Sequence, residues 1–290
     1  MKIGIVGGGE GWHRRQLEAA LVKRGATVLH YPITQLTARI DTGNLEVAVG
    51  DKILQDCTAL VVRTIPGGSL EQIILRMDIL RRLKEQGLSV YNSPTVIEKA
   101  VDKYYTSSVL AAAGIPTPPT VVTEDYQQAL AAFEELGRDV VVKPLFGSLG
   151  KGMVRVSDPD VAQRVFRALD LGGYVFYLQQ YVPHDNWDIR AFVLGKKVIA
   201  AMTRAGCSWK TNLAQGAEAT WRILSSEEKE LALKAAGCLG ADYAGVDLLW
   251  SQKGQLFVLE VNGIPGWQGL QSVCSVDIAG ALADYVVERS

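Results

Sequence analysis

Histidine is scarce in this 290-residue chain: His13, His30 and His184 are the whole complement. Catalysis built on an imidazole base therefore has few candidates, and no Ser-His-Asp or Cys-His arrangement is evident. Cysteine is scarce as well. The four present (Cys57, Cys207, Cys238, Cys274) are scattered, with no C-x-x-C pair. That argues against a zinc or disulfide framework. With no secretory leader visible, they read as reduced thiols of a cytoplasmic protein. Neither sign of charge is in excess: 30 Lys and Arg face 31 Asp and Glu, a net of -1. Nothing in that balance draws the chain to nucleic acid or to a membrane surface, and neither is expected as a partner. No apolar run reaches the roughly 18 to 20 residues that a membrane span needs. Internal repeats and low-complexity tracts are also missing.

What is present is an ordinary globular composition, 48% hydrophobic, in a chain long enough for two or three subdomains. The opening "MKIGIVGGGEGWHRRQLEAALVKRGATVLHY" reads as strand, Gly-rich turn, amphipathic helix, strand. Together with "CTALVVRT", "SLEQIILRMDILRRLKEQG" and "LSVYNSP" it predicts an α/β layer with a mostly parallel sheet over residues 1–95. "TVIEKAVDKYYTSSVLAAAG" reads as one helix that stops at Gly114, with prolines just beyond. Residues 96–175 then look like a compact lobe, and 176–290 like a strand-rich domain with a helix inserted.

Two glycine loops suggest phosphate chemistry. "VGGGEGW" sits between a strand and a helix, yet it misses the dinucleotide spacing, because the last glycine of G-x-G-x-x-G would fall at Trp12. It reads as an anion site at a helix N-terminus or as a plain tight turn. "VVVKPLFGSLGKGM" places Gly147, Gly150 and Gly152 after Lys143 and before a strand, so it is no P-loop, which opens a helix. A backbone free of side chains there can approach a phosphate chain.

The stretch "FVLEVNGIPGWQGL" runs an apolar strand into Glu260 and Asn262. Residues two apart on a strand share a face. "SQKGQ" reads as a hairpin turn that brings Asp247 of "AGVDLLW" beside Glu260. Three oxygen donors with no His or Cys nearby suit Mg²⁺ or Mn²⁺.

At this point "DKYYTSSVLAAAGIPTP", "VVVKPLFGSLGKGM", "QQYV", "DIRAFVLG", "TNLAQGA", "AGVDLL" and "LEVNGIPGWQGL", in that order from Asp102 to the C-terminus, resemble the ATP-grasp superfamily, in particular its RimK-like carboxylate–amine ligases. The resemblance implies an α/β (α+β) fold: a Rossmann-like pre-ATP-grasp domain (1–95), a central lid subdomain (96–175) and a C-terminal subdomain with the metal site (176–290). It implies that Lys103 and Lys143 contact nucleotide phosphates and that Gly147, Ser148, Gly150 and Gly152 close over them. Gln179, Gln180, Tyr181 and Val182 would form the hinge against adenine, and Asp188 would meet ribose or position the nucleotide. Arg190, Arg204 and Asn212 would stabilise the transferred phosphoryl group and the acyl phosphate. Asp247, Glu260 and Asn262 would hold one or two Mg²⁺ or Mn²⁺ ions.

The implied reaction is ATP-dependent amide formation through an acyl phosphate. Its implied partners are a small-molecule carboxylate acceptor and an amino acid, glutamate, in a homo-oligomer. Relatives in this family add glutamate to a ribosomal protein, to an amino-group carrier protein, or to cofactors, and "LEVNGIPGWQGLQ" looks most like the tetrahydromethanopterin-linked members. One departure is Lys210 in "SWKTN", where the family carries Arg, and the two are not interchangeable at a bidentate site. Trp267 either stacks on a ring of the acceptor or covers the loop from within. His13 reads as a substrate contact or as a plain surface residue. The competing classes are a nicotinamide-dependent oxidoreductase using "GIVGGGEG", a non-catalytic nucleotide-binding module, and a ligase of the D-alanine–D-alanine type.

Overall fold

The computed structural model describes residues 1–147 and 150–290, so Ser148 of the expected phosphate loop lies outside the described residues. The chain opens with β1 (Lys2–Gly7), α1 (Trp12–Lys23) and β2 (Thr27–Pro32). A small antiparallel meander follows: β3 (Thr37–Asp41), β4 (Asn44–Val49) and β5 (Lys52–Ile53). Then come β6 (Ala59–Val62), α2 (Leu70–Glu85) and β7 (Ser89–Tyr91). Strands β2-β1-β6-β7 form one sheet in that order, every neighbouring pair parallel. All four residues of β6 are buried, as a strand covered on both faces requires. The meander was not foreseen. Most of β3 is exposed, so it carries no apolar alternation to announce it.

The stretch read as one helix is two, α3 (Pro94–Val101) and α4 (Lys103–Ala112). Asp102 divides them: its extended backbone ends α3, and its carboxylate accepts from Tyr105 N at 3.0 Å to cap α4. The break sets Lys103 at the first position of α4, with its side chain toward the lid.

The lid is built on β8 (Thr120–Thr123), α5 (Tyr126–Glu135), β9 (Val140–Lys143), β10 (Val154–Val156), α6 (Pro159–Leu171) and β11 (Phe176–Gln180). Its strands lie in the order β10-β9-β11-β8, antiparallel throughout. Phe133, Phe166 and Phe176 meet edge to face beneath the two helices. The last sheet comprises β12 (Trp187–Leu194), β13 (Lys197–Ala205), β14 (Glu218–Trp221), β15 (Tyr243–Trp250) and β16 (Leu256–Asn262), with α7 (Ser226–Leu239) between β14 and β15. Its order is β14-β13-β12-β15-β16. Helices α8 (Gln268–Gln271) and α9 (Ile278–Arg289) end the chain. The terminal α9 was also unforeseen. It packs on α1 and joins Ile5, Leu17 and Leu21 of the first layer to Phe192 and Tyr243 of the last sheet in one core.

The sheets do not follow cuts at residues 95 and 175. Strand β11 belongs to the lid sheet, while Ala100 and Leu110 of α3 and α4 pack in the core of the last sheet. Among the described residues no helix is long and apolar enough to cross a membrane.

One side chain ties the first layer to the last. Asn92, fully buried between β7 and α3, donates to Tyr243 O and Gly263 O, both at 2.6 Å. Its Oδ1 accepts from Asp242 N at 2.7 Å and Tyr243 N at 3.2 Å. That uses both donors and both lone pairs of the amide. Asn92→Ala should therefore leave several buried backbone groups unpaired and cost roughly 3 kcal/mol or more. Chemical denaturation checks this, and a loss under about 1 kcal/mol would contradict it.

Candidate active site

The cleft lies between the lid sheet and the last sheet, and cross-strand register builds it. Arg190 on β12 sits opposite Asp247 on β15, which sits opposite Glu260 on β16. Asp188, two residues from Arg190 and so on the same face, sits opposite Arg204 on β13. The result is a charged row across one face of an antiparallel sheet, where directly opposed side chains touch. Between the pairs Asp247/Glu260 and Leu248/Val258 the register slips, leaving Leu259 as an extra residue. This bulge lets Leu259 and Glu260 both line the cleft.

Arg204 grips Asp188 through Nε at 2.7 Å and Nη2 at 2.5 Å, and its Nη2 also lies 3.0 Å from Asp247 Oδ2. All three side chains are almost fully buried. Burial alone would lower the Arg204 pKa, but Asp247 and Asp188 outweigh it and hold the guanidinium charged. Asp188, expected to meet ribose or to position the nucleotide, lines the cleft and accepts from Arg204 at both its oxygens, the geometry of a positioning group. Arg190 Nε lies 2.6 Å from Asp247 Oδ1 and its Nη2 donates to Oδ2 at 3.2 Å. Room for Arg190 comes from Gly245, where a Cβ would come within 2.2 Å of Arg190 Nη1. That glycine in a buried strand was a sequence signal left unread.

Opposite this row the lid supplies lysines. Lys143 at the end of β9 donates to Gln179 Oε1 at 2.5 Å, and Gln179 in turn donates to Thr120 Oγ1 at 3.0 Å. Burial pushes the Lys143 pKa down to about 8, opposed by the Glu260 carboxylate. Lys103 is lowered as well, again by burial and against Glu260. It donates to Gly147 O at 3.1 Å, which pins the start of the glycine loop. Gly150 and Gly152 both adopt left-handed backbone, with φ of 69° and 76°. A Cβ at Gly150 would fall 2.2 Å from Asn212 Oδ1, so only glycine lets the loop reach that side chain. Gln180, Tyr181 and Val182 line the same cleft, as do Asn212 and Lys210. Met153, Trp209 and Thr211 line it too. They were missed because single apolar or hydroxyl residues in loops carry no pattern.

The donor set fits a hard cation. Asp247 Oδ1 is buried without an in-line hydrogen bond, Glu260 faces the two lysines across the cleft, and both are acceptor-only oxygens. Asn262 spends one lone pair of Oδ1 on Ile264 N at 2.9 Å and keeps the other. Among the described residues no three His, Cys, Asp or Glu side chains converge. The rest of an octahedral shell would come from phosphates and water, the usual arrangement for Mg²⁺.

Trp267 takes the second alternative posed for it, a core residue that covers the loop from within, while His13 is not the plain surface residue. Trp267 is 1% exposed, so it presents no face to a ligand. Arg63 lies 4.4 Å above its ring. His13 is half-buried, and its Nε2 accepts from Trp267 N at 2.9 Å and Gln268 N at 3.2 Å.

Residues 100–286 match the family model of the RimK-like ATP-grasp domain. The chain belongs to the RimK-like ATP-grasp family. It is 33% identical to a tetrahydromethanopterin:alpha-L-glutamate ligase of Methanosarcina acetivorans, with 98% of each chain covered. The ligase of the same name from Methanococcus maripaludis is 34% identical over 98% of this chain and 97% of its own. A probable alpha-L-glutamate ligase of Haemophilus influenzae is 33% identical over 72% of this chain and 70% of its own. Among solved structures, a RimK domain protein of Sphaerobacter thermophilus superposes with a TM-score of 0.77 at 20% identity, covering 98% and 99% of the two chains. The ATP-grasp ligase PsnB, with its minimal precursor, gives 0.77 at 23%, covering 99% of each. At such identities these two share the fold with this RimK-like chain. Family membership sets aside the nicotinamide oxidoreductase reading of the opening turn.

Lys143 makes a pH prediction. With its pKa near 8, it is charged below that pH and neutral above it. Affinity for Mg-ATP should be greatest below pH 8 and weaken as pH rises through 8, by up to about tenfold per unit. Lys143→Met should bind weakly at all pH values with a flattened profile. An identical slope in the variant would exclude the contact. Gly245→Ala should displace Arg190 and lower kcat at least tenfold while ATP affinity stays within about twofold. Steady-state kinetics beside nucleotide titration separates the two.

Proposed function

We propose that this protein is an ATP-dependent α-L-glutamate ligase whose acceptor is a small-molecule carboxylate of the tetrahydromethanopterin type. As a RimK-like ATP-grasp protein it forms carbon–nitrogen bonds at the expense of ATP. The observation that carries the reading is the charged row Arg204–Asp188–Arg190–Asp247–Glu260 facing Lys103 and Lys143. Its residue types serve phosphoryl transfer, which needs position and charge compensation more than a protein nucleophile. Two relatives that match nearly the whole chain are named for the pterin acceptor, which favours it over a ribosomal or carrier protein.

An oxygen of the acceptor carboxylate attacks the terminal phosphorus of ATP, and the bond to ADP breaks. The neutral amine of glutamate then attacks the acyl carbon of the resulting acyl phosphate, phosphate leaves with the electron pair of the broken C–O bond, and the nitrogen loses one proton to it and keeps the other as the amide N–H. Lys103 and Lys143 hold the phosphates. Arg190, paired with Asp247 on the same face of the sheet, is assigned to the charge that builds on the transferred phosphoryl group, and Arg204, locked by Asp188, holds Asp247 in line. Gly150 brings the phosphate loop onto Asn212. Lys210 supplies a point charge where the family's Arg would chelate. Asp247, Glu260 and Asn262 are the residues that would hold Mg²⁺, or Mn²⁺ in its place, and such an ion neutralises phosphate charge. The active form is read as a homo-oligomer.

Thermal melting of the protein alone, with Mg-ATP, and with ATP plus chelator tests the site first. A ligand at about 100 times its Kd adds ~2.7 kcal/mol, and that gain should shrink under chelation. Glu260→Gln keeps shape and removes charge. It should lower glutamate-dependent ADP release with a tetrahydromethanopterin acceptor by at least about a hundredfold, ~2.7 kcal/mol, without moving the melting point of the free protein. Full activity in that variant at saturating Mg²⁺ would refute the metal role. Turnover with a protein acceptor alone would refute the small-molecule assignment.

A further inference from the structure

The opening Gly-rich turn takes no part in the cleft chemistry, yet it borders a second cavity of about 180 Å³. The cavity lies at the carboxyl ends of β1, β2 and β6, the edge at which parallel α/β sheets hold ligands. It is bordered by Gly8 and Gly11 of the turn, His13 and Arg14 of α1, and Arg63 and Thr64 beyond β6.

Three independent features suit it to an oxyanion. First, α1 starts at Gly11 with no side chain on its leading amides and no acid in its first turn. Among the described residues every other helix of eight residues or more has a Ser or Asp cap there. Free amides at a helix start carry partial positive charge. Second, Arg63 is 8% exposed, and its Nε has no hydrogen-bond partner. Its other contacts carry no formal charge: Tyr243 Oη at 3.4 Å, Pro265 O at 3.0 Å and the face of the Trp267 ring at 4.4 Å. Among the described residues no carboxylate pairs with this buried guanidinium, which therefore lacks a countercharge. Third, the turn leaves room. A Cβ on Gly8 or Gly11 would meet nothing within 4 Å, and Gly8 N donates to Thr64 Oγ1 at 3.3 Å, which leaves that hydroxyl proton free to donate elsewhere.

His13 is not a cation here. Burial, and then Arg63, push its pKa down to about 4, and it serves as an acceptor for the loop. The positive charges are Arg63 and Arg14, whose Nε is buried without a partner while its Nη2 reaches the exposed Glu10 at 3.1 Å. This wall also connects to the chemistry. The loop that leaves Asn262 is fastened to it twice, at Pro265 by Arg63 and at Trp267 by His13.

We propose that this cavity binds an oxyanionic group of the acceptor, a phosphate or a carboxylate, remote from the carboxyl group that is activated. The assignment to the acceptor rests on the ligase reading above, whereas the anion site itself does not.

The test fills the first cleft with Mg²⁺ and a non-hydrolysable ATP analogue. The protein is then titrated with inorganic phosphate and, separately, with glutarate, by calorimetry. Arg63→Gln loosens Pro265 and could unfold the joint, so the informative variants are Gly11→Val and Arg14→Gln. The Gly11 backbone is extended, at φ −80° and ψ 160°, and accepts a branched residue. Saturable binding of one probe, weakened at least tenfold in both variants with unchanged melting point and nucleotide affinity, is expected, and the tighter probe tells phosphate from carboxylate. In turnover, both variants should raise the acceptor KM at least tenfold and leave the ATP KM unchanged. No saturable binding of either probe, or binding unchanged in both variants, overturns the site. Turnover with an unchanged acceptor KM overturns the acceptor assignment and leaves the ligase intact. Anion binding lost in both variants of a protein that turns over no acceptor sinks the ligase reading, and the acceptor assignment with it.

Discussion

The buried contact between Arg204 and the two aspartates at 188 and 247 is the constraint around which the cleft is arranged. Three charges almost out of water are tolerated because each is matched by opposite charge at hydrogen-bond distance. Removing any one would strand the others, so the set behaves as a unit. Its geometry is inherited from the sheet: β12 and β13 pair Asp188 with Arg204, and β12 and β15 pair Arg190 with Asp247. Asp247 thus carries two guanidiniums, while Glu260 faces lysines across open space. Glu260 is the freer oxygen donor of the pair, and Asp247 is the better positioned.

A second constraint is the joint between the first layer and the last sheet. Asn92, Arg63 and His13 come from the first ninety or so residues, and all three fasten backbone near the end of β16 or the loop beyond it. The segment from Gly263 to Trp267 is therefore held on both sides: by its own strand, which carries the metal-ligand candidates, and by the N-terminal layer. Trp267, buried under Arg63, is the pivot of that contact rather than a platform for a ring. A substrate bound to the first layer would be registered against the reacting groups through a short, well-fastened loop.

Legibility followed periodicity and spacing. The apolar runs around Asp247 and Glu260, with a Gly-bearing turn between them, suffice to bring those carboxylates together, because a hairpin's register follows from its turn. The parallel layer was legible for the same reason. What escaped was set by context. The exposed strand β3 carries no alternation. Asp102 in the middle of a helical pattern looks like any surface acid until its cap on α4 is seen. Terminal α9 drew no reading from its letters, and its place comes from its packing on α1.

By itself the sequence determined the chemistry: oxygen donors without histidine or thiol, glycines beside lysines, and ordered motifs that fit one superfamily. Those are properties of residue type and local spacing, which survive in a string of letters. The tertiary structure alone decided which groups are free to react. It took Asp188 away from solvent and gave it to Arg204, buried Trp267, turned His13 into an acceptor for two amides, and left Arg63 with no countercharge beside an uncapped helix. Each of these depends on contacts between segments far apart in the chain, and burial and pairing, which set the charge and availability of a group, exist only once those segments have met.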